Sequence, residues 1–361
     1  MKVGIFTVHD SSNMGSFLQA LGMQEMVLRH GDAPYIVESR SHLATFNLFL
    51  GDISSWSYKG FFISIFHSIK HPKTFCKKIK KYRTYKSNWD SFKNVVNYRQ
   101  ATKFKLDCAL LGSDELWSVR KPTLRNPLFY GIGVNSDKKI AYAISMGQVE
   151  KNELEEYPKY VQGIRELDSI LVRDKHTGDV LKSMGINVDS GICDPTLQVD
   201  IRSYMKPIES VKLPNKKYIA VYAYGMKKEF KEYIQRFAEA NQLITVAVSL
   251  PQDWCDEYIN CSPLEFGAVL SGAEYVFSAT FHGTIFASLY HKNFVALNNL
   301  HKIVDVLNSL GLEECLIAEE ISYAEFCEKL SAKHDFDAME EKLIDIRNQA
   351  SKLYKKYIKE E

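Results

Sequence analysis

His282 stands in the run Ser278-Ala279-Thr280-Phe281-His282-Gly283-Thr284, after the apolar residues Tyr275-Val276-Phe277 and before a helical pattern. Such a run predicts a strand, a sharp turn and a helix start. Gly283 would let the backbone pass close to whatever sits in the turn, and the free N–H groups of a helix start favour an anion there. An imidazole beside an anion can give and take protons near neutral pH; the plainer reading of His282 is a hydrogen-bonded residue closing a buried strand. Arg173 ends the apolar run Ser169-Ile170-Leu171-Val172. It either carries a fixed positive charge into a cleft or pairs with a nearby carboxylate. Asn13, Gly15 and Ser16 lie between a strand at Val3–Val8 and a helix over 16–29, where open α/β sheets bind ligands, and Asn13 and Ser16 fit a helix cap equally well. Ser113 and Asp114 follow a strand at Leu106–Leu111, Ser145 ends one at Lys139–Ser145 with Gly147 just beyond, and Asp174 opens a helix over Lys175–Met184; all five are candidate substrate contacts, as are Thr280, Gly283 and Thr284.

These positions require a scaffold of strands alternating with helices, which implies a parallel sheet. The alternation loosens after Asp194-Pro195, through Met205-Lys206-Pro207 to Pro214-Asn215, a linker candidate. It resumes with a strand at Lys217–Tyr224, a helix at Lys227–Ala240, a strand at Leu243–Ser249 and a helix from near Pro263. The His282 segment, a strand at Asn293–Leu297 and a helix at His301–Leu310 complete the second run. The expected fold is α/β, with two Rossmann-like, doubly wound domains facing across a cleft in the GT-B-like manner. Residues 1–204 form the first domain, 205–335 the second, and 336–361 a C-terminal helix packing back on the N-terminal domain. That helix carries Met339, Leu343, Ile346, Ala350, Leu353 and Tyr357 as one apolar stripe, which serves either this packing or an oligomer seam.

A length of 361 residues suits two domains of ordinary size, and 45% apolar with 25% charged residues is the composition of a soluble globular protein. A net charge of +2 argues against a general nucleic-acid binder. The seven cysteines are scattered and never form C-x-x-C, a pattern of reduced, mostly buried thiols that indicates neither a disulfide framework nor a zinc site. The start, Met1-Lys2 followed by Val3-Gly4-Ile5-Phe6, does not read as a signal peptide. No run approaches about twenty apolar residues, so the expected location is the cytoplasm. Residues 43–86 form an insertion in which aromatics (Phe46, Phe49, Trp56, Tyr58, Phe61, Phe62, Phe66) run into lysines, with no acid between Asp52 and Asp90. This pattern fits either peripheral contact with an inner membrane surface or a solvated basic helix packed by Phe75, Ile79 and Tyr82. His67 and His71 share a helical face, but among lysines and without the glutamate of a zinc-protease motif they do not indicate a metal.

Six short motifs occur in a consistent order: Asn13-x-Gly15-x-x-Leu18-Gln19, Gly112-Ser113-Asp114-x-x-Trp117, Tyr142-Ala143-Ile144-Ser145-Met146-Gly147, Val172-Arg173-Asp174, Asp194-Pro195-Thr196-Leu197 and Phe281-His282-Gly283-Thr284. Together they resemble the polysaccharide pyruvyltransferase family over roughly residues 1 to 310. The resemblance implies a GT-B-like enzyme that moves a pyruvyl group from phosphoenolpyruvate to sugar hydroxyls, forming a ketal on a polysaccharide or a lipid-linked oligosaccharide precursor, with residues 1–204 on the acceptor side and 205–335 on the donor side. It implies His282 and Arg173 as catalytic residues, no metal, and no cofactor beyond the donor. Two positions depart from the family pattern. Thr280 stands where members often carry Arg, removing a cation that would grip the donor, and Asp174 stands for Glu. Motifs of dehydrogenases, P-loop enzymes, serine hydrolases and zinc proteases are absent from the sequence. A GT-B-like glycosyltransferase using a nucleotide sugar and a non-catalytic sugar-binding relative remain the rival readings.

Overall fold

The computed structural model describes residues 1–11, 13–42, 44–46, 72–298 and 300–360. Most of the aromatic and basic insertion, including His67 and His71, lies outside the described residues, and its end forms a helix over Pro72–Lys86. The chain divides into two compact units, Met1–Val199 with Ile346–Glu361, and Asp200–Asp345. The sequence placed the division at 204/205 and the returning segment at 336–361.

In the first unit, strands β1 (Lys2–Phe6), β2 (Ala33–Val37), β3 (Val95–Val96), β4 (Leu106–Leu111), β5 (Ser136–Ile144), β6 (Ser169–Val172) and β7 (Ser190–Gly191) form a parallel sheet in the order β3-β2-β1-β4-β5-β6-β7. The chain winds outward from β1 on one side and from β4 on the other, which places a topological switch point between them. Strands covered on both faces must be apolar throughout, and Leu106-Asp107-Cys108-Ala109-Leu110-Leu111 and Ser169-Ile170-Leu171-Val172 are nearly so.

Helix α1 (Met14–Arg29) starts where the Asn13 side chain accepts a hydrogen bond from the Gly15 N–H at 2.8 Å. Further along α1, Gly22 is packed so closely that an added Cβ would lie 2.7 Å from the Pro195 carbonyl oxygen. The close approach seats α1 against the turn that begins at Asp194. In the same unit the Tyr354 hydroxyl donates to Asp32 at 2.9 Å and its ring stacks on His30 at 4.1 Å, which holds the C-terminal segment in place.

The second unit repeats the plan. Strands β8 (Tyr218–Tyr222), β9 (Ile244–Val248), β10 (Glu257–Ile259), β11 (Tyr275–Ser278), β12 (Asn293–Leu297) and β13 (Leu316–Ile317) are parallel in the order β10-β9-β8-β11-β12-β13, with the switch point between β8 and β11. Its apolar core gathers Ile219, Val221, Phe230, Ile234, Phe277, Val295 and Phe326. Among the described residues no helix is long and apolar enough to cross a membrane.

Candidate active site

Because the strands are parallel, the residues that follow each strand share one edge of the sheet. In the first unit that edge gathers most of the residues singled out in the sequence. Ser16, one turn into α1, donates to Asp114 Oδ2 at 2.7 Å, which bridges the loops after β1 and β4 across the switch point. Asp114 Oδ1 accepts from the Glu115 N–H at 2.9 Å and lies 3.9 Å from Arg173 Nη2. Arg173 Nη1 donates to Asp194 Oδ2 at 2.9 Å and to Ser113 Oγ at 3.5 Å. Ser145 Oγ accepts from the Gly147 N–H at 3.0 Å, closing the loop after β5.

The backbone of this edge is held in unusual conformations. Asp114 has φ 75° and Ala143 has φ 51°, values that side-chain-bearing residues adopt at some energetic cost and that surrounding contacts must maintain. Gly112 has φ 146°, and a Cβ there would lie 2.0 Å from the Tyr142 carbonyl oxygen, so only glycine fits.

The environment of Arg173 is that of a buried ion pair. Its side chain is 2% exposed and that of Asp194 0%. Burial lowers the guanidinium pKa, but the carboxylates of Asp194 and Asp114 more than reverse this and hold it above its ordinary value. Of the two readings of Arg173 made from sequence, the geometry matches the salt bridge. Asp174 Oδ1 accepts from the Thr177 N–H at 2.8 Å and caps the helix over Lys175–Ser183. A shorter side chain caps better than Glu, a physical reason for Asp at this position.

In the second unit, β11 ends at Ser278 and a helix covers Phe281–Leu289, so His282 lies in the first helical turn at the switch-point edge. The sequence placed Gly283 in the turn, beside the free N–H groups of a helix start; the structure moves it into the helix and engages its N–H. Gly283 is helical, and its N–H donates to Thr280 Oγ1 at 3.0 Å, because Thr280 is the helix cap. The close approach that requires glycine is to Ser278 Oγ, Thr280 Oγ1 and Tyr222 Cδ1, each within 2.7 Å of where a Cβ would stand. Thr284 is fully buried, and its hydroxyl donates to the Thr280 carbonyl at 2.9 Å. His282 is 6% exposed, and its ring meets Phe281 edge-on at 5.1 Å.

Several residues that build these edges were not singled out as site residues in the sequence. Gln19 closes the β1–α1 loop by donating to Thr7 Oγ1, the Val8 carbonyl and the Ser16 carbonyl at 2.9, 3.1 and 2.7 Å. Gln19 and Asp194 both belong to quoted motifs, so a signal for them existed. Asp10 and Arg40, whose side chains are 8% and 6% exposed, form an ion pair at 3.4 Å after β1 and β2, and no local pattern announces that contact.

Two parallel α/β units of Rossmann order, each with polar motifs at its switch-point edge, define a GT-B-like two-domain protein. The chain belongs to the polysaccharide pyruvyl transferase family, whose model matches residues 13–301. No curated protein matches. Among solved structures, a Listeria monocytogenes protein assigned as a UDP-N-acetylglucosamine 2-epimerase is similar with a TM-score of 0.53 and 8% identity, covering 100% of this chain and 97% of that one. The Methanocaldococcus jannaschii UDP-GlcNAc 2-epimerase in complex with UDP-GlcNAc and UDP follows at 0.48 and 10% identity, covering 97% and 100%. The glycosyltransferase SsfS6 of Streptomyces sp. SF2575 gives 0.40 and 10%, covering 98% and 96%. At 8% identity the likeness to the Listeria monocytogenes structure is one of fold alone.

Proposed function

We propose that this chain transfers a pyruvyl group from phosphoenolpyruvate to two hydroxyls of one sugar, in a cell-surface polysaccharide or its lipid-linked precursor, forming a ketal. The observation that carries the reading is His282 in the first turn after β11, at the switch-point edge, in a chain whose family membership spans residues 13–301. In the reaction the enol methylene takes a proton and becomes a methyl group. Its neighbouring carbon gains both sugar oxygens, and the bond to the phosphate oxygen breaks with its electrons leaving on phosphate. Of the two protons lost by the hydroxyls, one balances the new methyl group and the other leaves with phosphate. His282 is assigned the proton transfers, because imidazole can donate and accept within one cycle.

Asn13, Gly15, Ser16, Ser113, Asp114, Ser145 and Gly147 are assigned to binding substrate through the polar edge of the first unit. Arg173, which the resemblance implies as catalytic, and Asp174, Thr280, Gly283 and Thr284, expected from the sequence to contact substrate, are assigned instead to holding the two edges in shape, because a polar group of each is engaged within its own unit. The reaction calls for no metal and no cofactor beyond the donor. The assigned location is the cytoplasm, with residues 43–86 touching the inner membrane surface where lipid-linked sugars are held, a reading supported by the absence of acidic residues between Asp52 and Asp90.

One observation favours a second reading. Thr280 supplies a helix cap and no cation where family members often carry Arg, which suits a glycosyltransferase using a nucleotide sugar or a sugar-binding relative without activity. An assay of released products separates them. Inorganic phosphate released from phosphoenolpyruvate with a sugar acceptor supports pyruvyl transfer; a nucleoside diphosphate released from a nucleotide sugar contradicts it.

A further inference from the structure

In the first unit, the helix over Lys175–Ser183 and the outermost strand β7 flank a groove of about 410 Å³. Lys175, Gly178, Asp179 and Lys182 line its helical side, and their spacing of i, i+3, i+4 and i+7 puts them on one face. Gly191 of β7 lies on the other side. Both glycines leave room. A Cβ on Gly178 would meet only Val172 Cγ2, at 3.5 Å, and one on Gly191 only the Val172 carbonyl oxygen, at 4.0 Å.

Arg173 and Asp174 also line the groove, which makes it continuous with the polar sheet edge of the candidate site. Asp174 is 7% exposed. Its Oδ1 caps the helix, while Oδ2, equally buried, has no hydrogen-bond partner among the described residues. A buried acceptor left unmatched is costly, and a hydroxyl brought by a ligand would match it.

The lining selects the ligand. Lys175 and Lys182 oppose a cation, and Asp174 and Asp179 oppose an anion. A hydroxyl both donates and accepts, so a neutral polyol can use the lysines as donors and the carboxylates as acceptors. Val172 and Val188 offer an apolar surface to the C–H groups of a sugar ring. The volume falls near the lower end of small-ligand sites, about 300–1,000 Å³.

We propose that this groove is a second sugar subsite. It holds a unit of the saccharide chain next to the one that receives the pyruvyl group, so an oligosaccharide is a better acceptor than a single sugar. The inference rests on the saccharide-acceptor reading above and extends it. Binding energy from a unit remote from the reacting hydroxyls then contributes to catalysis.

The test uses the full chain. On an array of microbial oligosaccharides of graded length, longer chains should bind more tightly than single sugars. In solution a bound oligosaccharide should slow amide hydrogen exchange over residues 175–191. With phosphoenolpyruvate, kcat/KM for phosphate release should rise about tenfold from a single sugar to its oligosaccharide. Gly191→Tyr fills the groove from an exposed strand position, and it should erase that rise through KM while leaving the single-sugar rate unchanged. Should that variant fail to fold, Asp179→Ala combined with Lys182→Ala alters two exposed side chains and should erase most of the rise. Oligosaccharide binding and exchange protection without phosphate release would keep the subsite and contradict pyruvyl transfer. Phosphate release indifferent to chain length and to both variants would overturn the subsite and leave pyruvyl transfer standing. An array on which no oligosaccharide binds better than a single sugar would also overturn it.

Discussion

Arg173 and Asp194 behave as one unit, and removing either strips a buried charge of its nearest counter-ion. Replacing Arg173 or Asp194 by Ala is expected to cost about 3–5 kcal/mol of stability in chemical denaturation. A loss near zero would mean that the guanidinium is solvated and open to substrate. Asp10 gives a pH-dependent contribution. Burial raises its pKa, but Arg40 and His9 more than reverse this, so it lies below the ordinary carboxylate value in the folded chain. A depressed folded pKa stabilises above the unfolded value of about 3.9 and is lost as pH falls through the folded value. Stability should therefore drop below about pH 4, and Asp10→Asn should flatten that part of the profile; an unchanged slope would remove Asp10 from the account. At this scale the sequence revealed the residues inside motifs, such as Ser16, Asp114 and His282. The Asp10–Arg40 pair stayed hidden because its contact joins two different strand ends, and charge type alone does not name a partner.

Helix starts and close approaches decide where these residues stand. Gly22 allows α1 to press against Pro195, and Asp194, the partner of Arg173, begins that turn. Gly22→Ala forces backbone apart and is expected to destabilise by about 1–3 kcal/mol, readable as a lowered denaturation midpoint. Thr280→Ala removes the cap of the His282 helix and should cost about 1 kcal/mol, with turnover falling further than stability if the cap aims the imidazole. Equal turnover in that variant would show that the cap serves folding alone. Strand and helix alternation was legible because its apolar periods are local. The place of Gly283 was not, since the atoms that crowd it come from Tyr222 and Ser278, one on another strand and one across the cap.

At the scale of the whole chain, the break in alternation after Asp194 reported two α/β halves, and each half has the strand order that puts a ligand edge at its switch point. The proposed donor, phosphoenolpyruvate, rests on the family motifs and not on the geometry of that edge. Its most direct test is melting of the full chain with phosphoenolpyruvate, set against melting with UDP-sugars. At a hundred times its dissociation constant the donor should add about 2.7 kcal/mol of stability. His282→Gln should keep much of that gain while turnover collapses, because an amide can hydrogen-bond but cannot carry the proton. A chain that gains nothing from phosphoenolpyruvate and is stabilised by a nucleotide sugar would contradict the account.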